Sequence, residues 1–166
     1  MMDTNDTHRV LGIDPGLNIT GYGAVDFRGS DFSVVEAGCI RTNSRRTIAE
    51  RIEQIHADLS EIIAELAPHT VAVEKLYAHY AHPRTAIRMG HARGVILLAA
   101  RQAGLPVRDL PATKVKKSLT GQGHASKRQV QRSVQSVCRL EELPTPPDVA
   151  DALAIALCAG RTVMTI

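Results

Sequence analysis

The sequence is poor in cysteine, in long apolar runs and in aromatic side chains, which make up 3% of it. Its three cysteines, Cys39, Cys138 and Cys158, lie far apart without a C-x-x-C pair, which argues against a disulfide framework or a cysteine zinc site. The longest apolar run has eight residues, whereas a membrane-spanning helix needs about 18. The first ten residues also lack the apolar stretch of a signal peptide. We therefore expect a cytoplasmic protein that is not bound to a membrane.

Acidic residues are almost missing from the middle of the chain. Residues 84–140 hold 12 basic side chains and a single acid, Asp109, although the whole chain has a formal net charge of only +3. Residues 1–83 show the opposite balance, with 7 basic and 12 acidic side chains. This partition favours a nucleic-acid-binding face over ordinary solvated helices. Its candidate DNA contacts include Arg84, Arg88, Lys117 and Arg128.

The length of 166 residues, with 44% hydrophobic side chains, predicts one globular domain over residues 1–166, of which residues 1–8 are expected to be flexible. Apolar periodicity predicts strands at residues 9–14, 22–27, 33–40, 70–74 and 106–110, with a hairpin turn at Gly29. Helices are predicted at residues 46–66, 84–103, 113–119, 126–138 and 148–159. This order predicts an α/β fold with one mixed five-stranded sheet covered by helices on both faces.

Four carboxylates are the main chemical signal. Asp14 and Glu74 each end an otherwise apolar strand, where an acid is costly unless something neutralises it. If the two strands are parallel neighbours, both side chains emerge at one sheet edge. Asp148 and Asp151 are three residues apart and project from one side of a helix, although simple helix capping also explains Asp148. Such oxygen ligands suit Mg²⁺ or Mn²⁺, and two ions about 4 Å apart can serve phosphodiester cleavage.

Five motifs in order resemble the RuvC family, the bacterial Holliday-junction resolvases. They are GIDPGLNITGYG at residues 12–23, AVEKLY at 72–77, ARGV at 92–95, GQGHASKRQV at 121–130 and DVADALAIAL at 148–157. The resemblance implies a ribonuclease-H-like fold and a homodimer. It further implies an Mg²⁺-dependent endonuclease, with two ions per site, that makes paired nicks in four-way DNA junctions during recombination and repair. The expected products carry 5′-phosphate and 3′-hydroxyl ends, and the expected partners are the branch-migration proteins RuvA and RuvB.

The same resemblance implies roles for individual residues. Asp14, Glu74, Asp148 and Asp151 correspond to the four catalytic, metal-binding carboxylates. Lys116 and Lys127 correspond to basic residues near the scissile phosphate, where lysine acts as a compact positive charge. Tyr77 resembles the aromatic residue that stacks on an unpaired base, in place of the more usual Phe. The loop after Tyr77 departs further from the family, with His82 where Asn is more common.

Three other functions remain open from the residues themselves. A related nuclease of the YqgF type would act on RNA, although the pair Asp148 and Asp151 and the Tyr77 motif disfavour it. An ATPase or kinase with an actin-like phosphate loop normally needs a second lobe, for which 166 residues are too few. A junction-binding scaffold without catalysis is disfavoured by the intact carboxylates.

Gly90 and Gly94, four residues apart in a predicted helix, suit either a dimer interface or packing on the sheet.

Overall fold

The computed structural model describes residues 7–76 and 83–163. Its strands are β1 (His8–Asp14), β2 (Ile19–Arg28), β3 (Asp31–Arg41), β4 (Thr70–Glu74) and β5 (Val107–Leu110). Its helices are α1 (Ile48–Leu66), α2 (Pro83–Gln102), α3 (Ala112–Thr120), α4 (Lys127–Val137) and α5 (Pro147–Val163). Across these two stretches of chain, every helix is too short or too polar to cross a lipid bilayer.

The strands form one mixed sheet in the order β3-β2-β1-β4-β5. β1 runs antiparallel to β2 and parallel to β4, and β5 continues the parallel side. A hairpin joins β2 to β3 through Gly29, whose φ of 56° lies in the left-handed region that glycine tolerates. The predicted five-stranded mixed sheet and its hairpin are therefore confirmed.

The sheet separates two apolar cores, because alternate residues of a strand point to opposite faces. In β1, Val10 packs in the core beneath α3, α4 and α5, whereas Leu11 and Ile13 pack in the core beneath α1 and α2. Each of these three side chains is fully buried. Helices thus cover both faces of the sheet, as the sequence pattern predicts.

Helix α5 lies directly on β1 and β2 because glycines line the contact. A Cβ atom at Gly12 would lie 2.2 Å from the carbonyl oxygen of Ala152, and one at Gly23 would lie 2.7 Å from Leu153 Cδ2. Gly160 makes a similar contact from the helix side, against the ring of Phe27. The sequence pattern predicts that α5 ends at residue 159, but the helix continues to Val163. Gly160 does not end the helix, because it lies within it and packs against Phe27.

Two helices begin with reciprocal side-chain caps. Thr47 and Glu50 form a capping box at the start of α1, and Ser126 and Gln129 form one at the start of α4. Each box satisfies two backbone N–H groups that the first helical turn leaves without a partner. The second box fixes Lys127 as the first residue of α4.

Candidate active site

Asp14 and Glu74 lie at the same edge of the sheet. β1 and β4 are neighbouring parallel strands, with Ile13 paired to Val73 one residue before each acid. Because parallel strands end in the same direction, the two carboxylates emerge side by side. The adjacency that the sequence left open is thus present in the fold.

Asp148 and Asp151 reach this edge on the first turns of α5. Gly21 is the β2 partner of Asp14, and a Cβ atom at Gly21 would lie 2.1 Å from the carbonyl oxygen of Asp148. The start of α5 therefore rests on the strand next to Asp14. This contact is possible because residue 21 has no side chain. The fold brings all four predicted acids into one neighbourhood from three elements.

The acids of the cluster are close enough to raise one another's pKa values. Burial raises the pKa of Asp14 well above its ordinary value, and the charges of Asp151, Glu74 and Asp148 raise it further. Burial likewise raises the pKa of Glu74, with Asp151 adding to the shift, and it raises the pKa of Asp151, with Asp148 adding to it. Desolvation and like charges both oppose ionisation. The cluster therefore holds more negative charge than its surroundings balance.

Two lysines on separate helices offset part of this charge. Lys127 lowers the pKa of Asp14, Glu74 and Asp151, and its Nζ lies 3.9 Å from Asp151 Oδ2. Lys116 of α3 lowers the pKa of Glu74 and Asp151. The side chain of Lys127 is 69% exposed, so it stays available to a ligand at the mouth of the site. Lys127 thus lies beside Asp151, and Lys116 is near enough for its charge to act on Glu74 and Asp151.

The donor atoms of the cluster are of the kind that binds a divalent cation. Carboxylate oxygens are the ligands that Mg²⁺ and Mn²⁺ prefer, and a cation would relieve the repulsion that raises the pKa of Asp14. As the side chains stand, no three Asp, Glu, His or Cys residues in the described stretches are grouped closely enough to ligate one ion. Mg²⁺ is commonly held by one or two carboxylates and several waters, so the donor set still fits this ion.

A groove opens beside the acids, between the turn that follows β1 and the first turns of α2. Six of the residues along it matter here, namely Asp14, Leu17, Asn18, Arg88, Lys127 and Asp148. Arg88, a predicted DNA contact, is exposed and lies along the same groove as Asp14. The groove thus joins the acid cluster to the basic segment of the chain.

The other predicted DNA contacts are less closely tied to the acids. Lys117 and Arg128 are exposed on α3 and α4, each one residue after one of the two lysines near the acids. Arg84 is exposed at the start of α2. Tyr77 and His82 lie outside the described residues.

Two arginines near the site were given no role from the sequence, although Arg93 belongs to the ARGV motif. Arg93 donates from Nε to the carbonyl oxygen of Glu74 at 3.2 Å, and it forms an ion pair with Asp109. Arg51 is only 6% exposed and lies on the buried face of α1 with Ile55 and Leu59. Arg51 lies four residues before Ile55 and eight before Leu59, so the sequence alone places it on the apolar stripe of a helix. A charge on such a stripe needs partners, and this spacing could have identified Arg51.

The carboxylates at one edge of a mixed sheet, with lysines near them, fit a ribonuclease-H-like endonuclease. A family model described as crossover junction endodeoxyribonuclease RuvC matches residues 10–159. The RuvC protein of Rhodopirellula baltica is 50% identical over 149 residues, which cover 90% of this chain and 84% of that protein. The RuvC protein of Pelotomaculum thermopropionicum is 46% identical over 149 residues, 90% of either chain. The chain belongs to the RuvC family of crossover junction endodeoxyribonucleases.

Solved structures agree with this assignment. Thermus thermophilus RuvC in complex with Holliday junction substrate superposes with a TM-score of 0.87 at 35% identity, covering 95% of this chain and 96% of that chain. The yeast mitochondrial Holliday junction resolvase shares the fold at 13% identity, with a TM-score of 0.62, covering 95% of this chain and 81% of that one. The ribonuclease-H-like fold is therefore confirmed. Membership in this nuclease family implies dependence on a divalent metal.

Proposed function

We propose that this protein resolves Holliday junctions by making symmetric paired nicks in four-way DNA during recombination and repair. The observation that carries the proposal is the meeting of Asp14, Glu74, Asp148 and Asp151 at one sheet edge in a chain matched to its family over residues 10–159. The related T. thermophilus protein, solved with a Holliday junction substrate, supports the choice of DNA.

Within this proposal the four carboxylates would hold two Mg²⁺ ions, for which Mn²⁺ could substitute. When bound, the ions would supply Lewis-acid activation of the attacking water and stabilisation of the departing 3′ oxygen. Lys116 and Lys127 place positive charge beside the scissile phosphate as its own charge grows. Water adds to phosphorus, the bond from phosphorus to the 3′ oxygen breaks, and that oxygen takes up a proton. The products carry 5′-phosphate and 3′-hydroxyl ends.

The basic segment supplies affinity for the DNA backbone. Arg84, Arg88, Lys117 and Arg128 are exposed and carry their charge toward phosphates without reading the base sequence. Tyr77 stacks on an unpaired base at the junction in this proposal. Junction affinity should fall steeply as salt rises, because each neutralised phosphate releases counterions.

The protein acts as a homodimer in this proposal, since the two symmetric strands of a junction need two active sites. An exposed stripe along α2, formed by Ile87, Gly90, Gly94 and Leu98, supports the dimer. Ile87 is 61% exposed and Leu98 is 48% exposed, and a Cβ atom at Gly90 or Gly94 would meet nothing within 4 Å among the described residues. Open space over these glycines disfavours packing on the sheet and leaves room for a second backbone.

The remaining parts of the proposal rest on family membership alone. RuvA and RuvB deliver branch-migrated junctions to this protein, and the reaction takes place in the bacterial cytoplasm, where chromosomal DNA is recombined. The whole chain, residues 1–166, forms one nuclease domain.

The test compares cleavage of a labelled mobile four-way junction with cleavage of linear duplex, with Mg²⁺ or with EDTA. Wild type should nick the junction in symmetric pairs, leave the duplex intact and need the metal. Asp14→Asn should lose cleavage but keep junction binding. Asp31→Asn is the control. It makes the same change at Asp31, which pairs with Arg28 at the hairpin end of the sheet, and it should cleave like wild type.

Two outcomes would contradict the proposal. Junction binding without any cleavage by wild type would indicate a scaffold that only binds four-way DNA. Equal activity on duplex and junction DNA would remove the junction as the substrate.

A further inference from the structure

The turn between β1 and β2, residues 15–18, follows Asp14 directly and forms one wall of the groove beside the acids. It consists of proline, glycine, leucine and asparagine, so Asn18 holds its only polar side chain. Pro15 and Leu17 are buried, whereas Asn18 is exposed. Thr20 Oγ1 donates to the carbonyl oxygen of Gly16 at 2.7 Å and closes the turn from within.

Arg51 ties this turn to α1. Its Nε donates to Thr42 Oγ1 at 2.9 Å, and its Nη2 donates to the carbonyl oxygen of Leu17 at 3.1 Å and to Asn18 Oδ1. No described carboxylate forms an ion pair with Arg51. A buried guanidinium surrounded by neutral oxygens is costly to keep, and its hydrogen bonds converge on the turn that carries Asn18.

The contact with Arg51 fixes the direction of the Asn18 carboxamide. Arginine is a donor only, so the atom that it contacts must be the carboxamide oxygen. The Nδ2 group of Asn18 then points away from Arg51, and none of the described residues accepts a hydrogen bond from it. Asn18 lines the groove together with Arg88 and Lys127. The groove that contains Asp14 is therefore also lined by an oriented carboxamide and two cations.

We infer that Asn18 donates a hydrogen bond to a backbone phosphate of the DNA strand in this groove, and that Arg51 is the positioning residue that aims its carboxamide. A phosphate is the ligand that fits, because it accepts from N–H donors and is attracted to Arg88 and Lys127. Such a contact fixes the position of the strand near the acids without reading its bases. The inference rests on the proposed function, since it names a contact of the same site.

The decisive variant is Asn18→Asp. One carboxylate oxygen still accepts from Arg51, while the other replaces the N–H donor with negative charge facing the groove. Junction binding in EDTA, followed by fluorescence anisotropy, should weaken about tenfold or more, whereas Asn18→Ala should weaken it about threefold. The melting temperature of Asn18→Asp should equal or exceed that of wild type, because Arg51 gains a charged partner.

Asn43→Asp is the matched control. Asn43 follows Thr42, whose amide donates to the carbonyl oxygen of Asn18 at 3.1 Å, and its own Oδ1 accepts from the amide of Arg45 at 2.9 Å. It does not line the groove. The control makes the same charge change in the same region and should bind junctions within about twofold of wild type.

The role of Arg51 is tested by Arg51→Lys alone and combined with Asn18→Ala. A lysine keeps the charge but loses the fork that holds Asn18. The single variant should weaken binding about as much as Asn18→Ala, and the double variant should be no weaker than either. Additive losses would show that Arg51 does not act through Asn18.

Other outcomes would overturn the inference while leaving the proposed function intact. If wild type resolves junctions and Asn18→Asp binds them as tightly as wild type does, Asn18 makes no phosphate contact. If the loss differs strongly between junctions of different base sequence, Asn18 reads bases instead. Failure of wild type to bind or cleave junctions would refute the proposed function itself. If Arg51→Lys does not fold, the Asn18 variants still decide the contact.

Discussion

Replacing Gly21 with alanine tests the close contact between the start of α5 and β2 at the active site. The new Cβ would lie 2.1 Å from the carbonyl oxygen of Asp148 and 2.5 Å from its carbonyl carbon. Both atoms belong to the backbone, so the start of α5 has to move by about 1 Å to restore an ordinary contact. Overpacking of this kind costs about 2 to 3 kcal/mol, equivalent to a loss of about 5 to 10 °C in melting temperature for a chain of this size.

The same displacement should slow cleavage beyond what the loss of stability explains. Asp148 moves relative to Asp14, the β1 partner of Gly21, and an error of about 1 Å at reacting groups can cost about a hundredfold in rate. Single-turnover cleavage of a four-way junction, measured well below the melting temperature, gives this rate for folded protein. Thermal and urea unfolding give the stability.

Gly123→Ala is the matched control for this prediction. Its new Cβ would lie 3.4 Å from the carbonyl oxygen of Thr113, an ordinary contact, so stability should change by less than about 0.5 kcal/mol. The reasoning is refuted if Gly21→Ala matches wild type in both unfolding and single-turnover rate, because α5 would then not rest on β2 at this point.

Two further predictions concern the charge of the site and the assembly of the protein. In EDTA, Asp14→Asn should raise the melting temperature at pH 7, because burial and the neighbouring acids raise the pKa of Asp14 and the unfolded chain therefore releases this proton more readily than the folded protein. The gain should shrink as the pH falls toward about 4, the ordinary pKa of an aspartate, and should vanish about one to two pH units lower, where Asp14 is protonated in both states. Asp31→Asn should show no such gain in a melting series across pH. Leu98→Glu should convert the proposed dimer to a monomer in sedimentation velocity, because it places a charge on the exposed stripe of α2. Val35→Glu, at a residue on β3 that is 40% exposed, should leave the proposed dimer intact. A monomeric wild type, or a dimer that tolerates Leu98→Glu, would exclude this stripe as the interface.

The sequence pattern predicted the sheet, the five helices and the acids at the strand ends, because these follow from local periodicity. An acid after an apolar strand such as TVAVE is visible in the chain itself. The neighbourhood of Asp14 and Glu74 is different, since it depends on β4 pairing with β1 across an intervening hairpin and helix. Sequence spacing alone does not determine which strands pair.

The remaining features required tertiary structure. The sequence gives no reason for Gly12 and Gly21 in GIDPGLNITGYG to be glycine, whereas the structure shows that both let α5 approach the sheet closely. Asn18 lies in the same motif, and its orientation depends on Arg51, 33 residues away along the chain. The proposed stacking role of Tyr77 stays a prediction, because that residue lies outside the described part of the chain.

The position of Asp148 and Asp151 on α5 has a consequence for synthesis of the protein on the ribosome. A nascent chain that has not yet released residues 147–163 carries Asp14 and Glu74 but lacks the other two acids, and it also lacks the helix that covers Gly12 and Gly21. Under the proposed chemistry such a chain cannot cut DNA. The order of the elements thus delays nuclease activity until the sheet and its covering helix have been translated and have folded together.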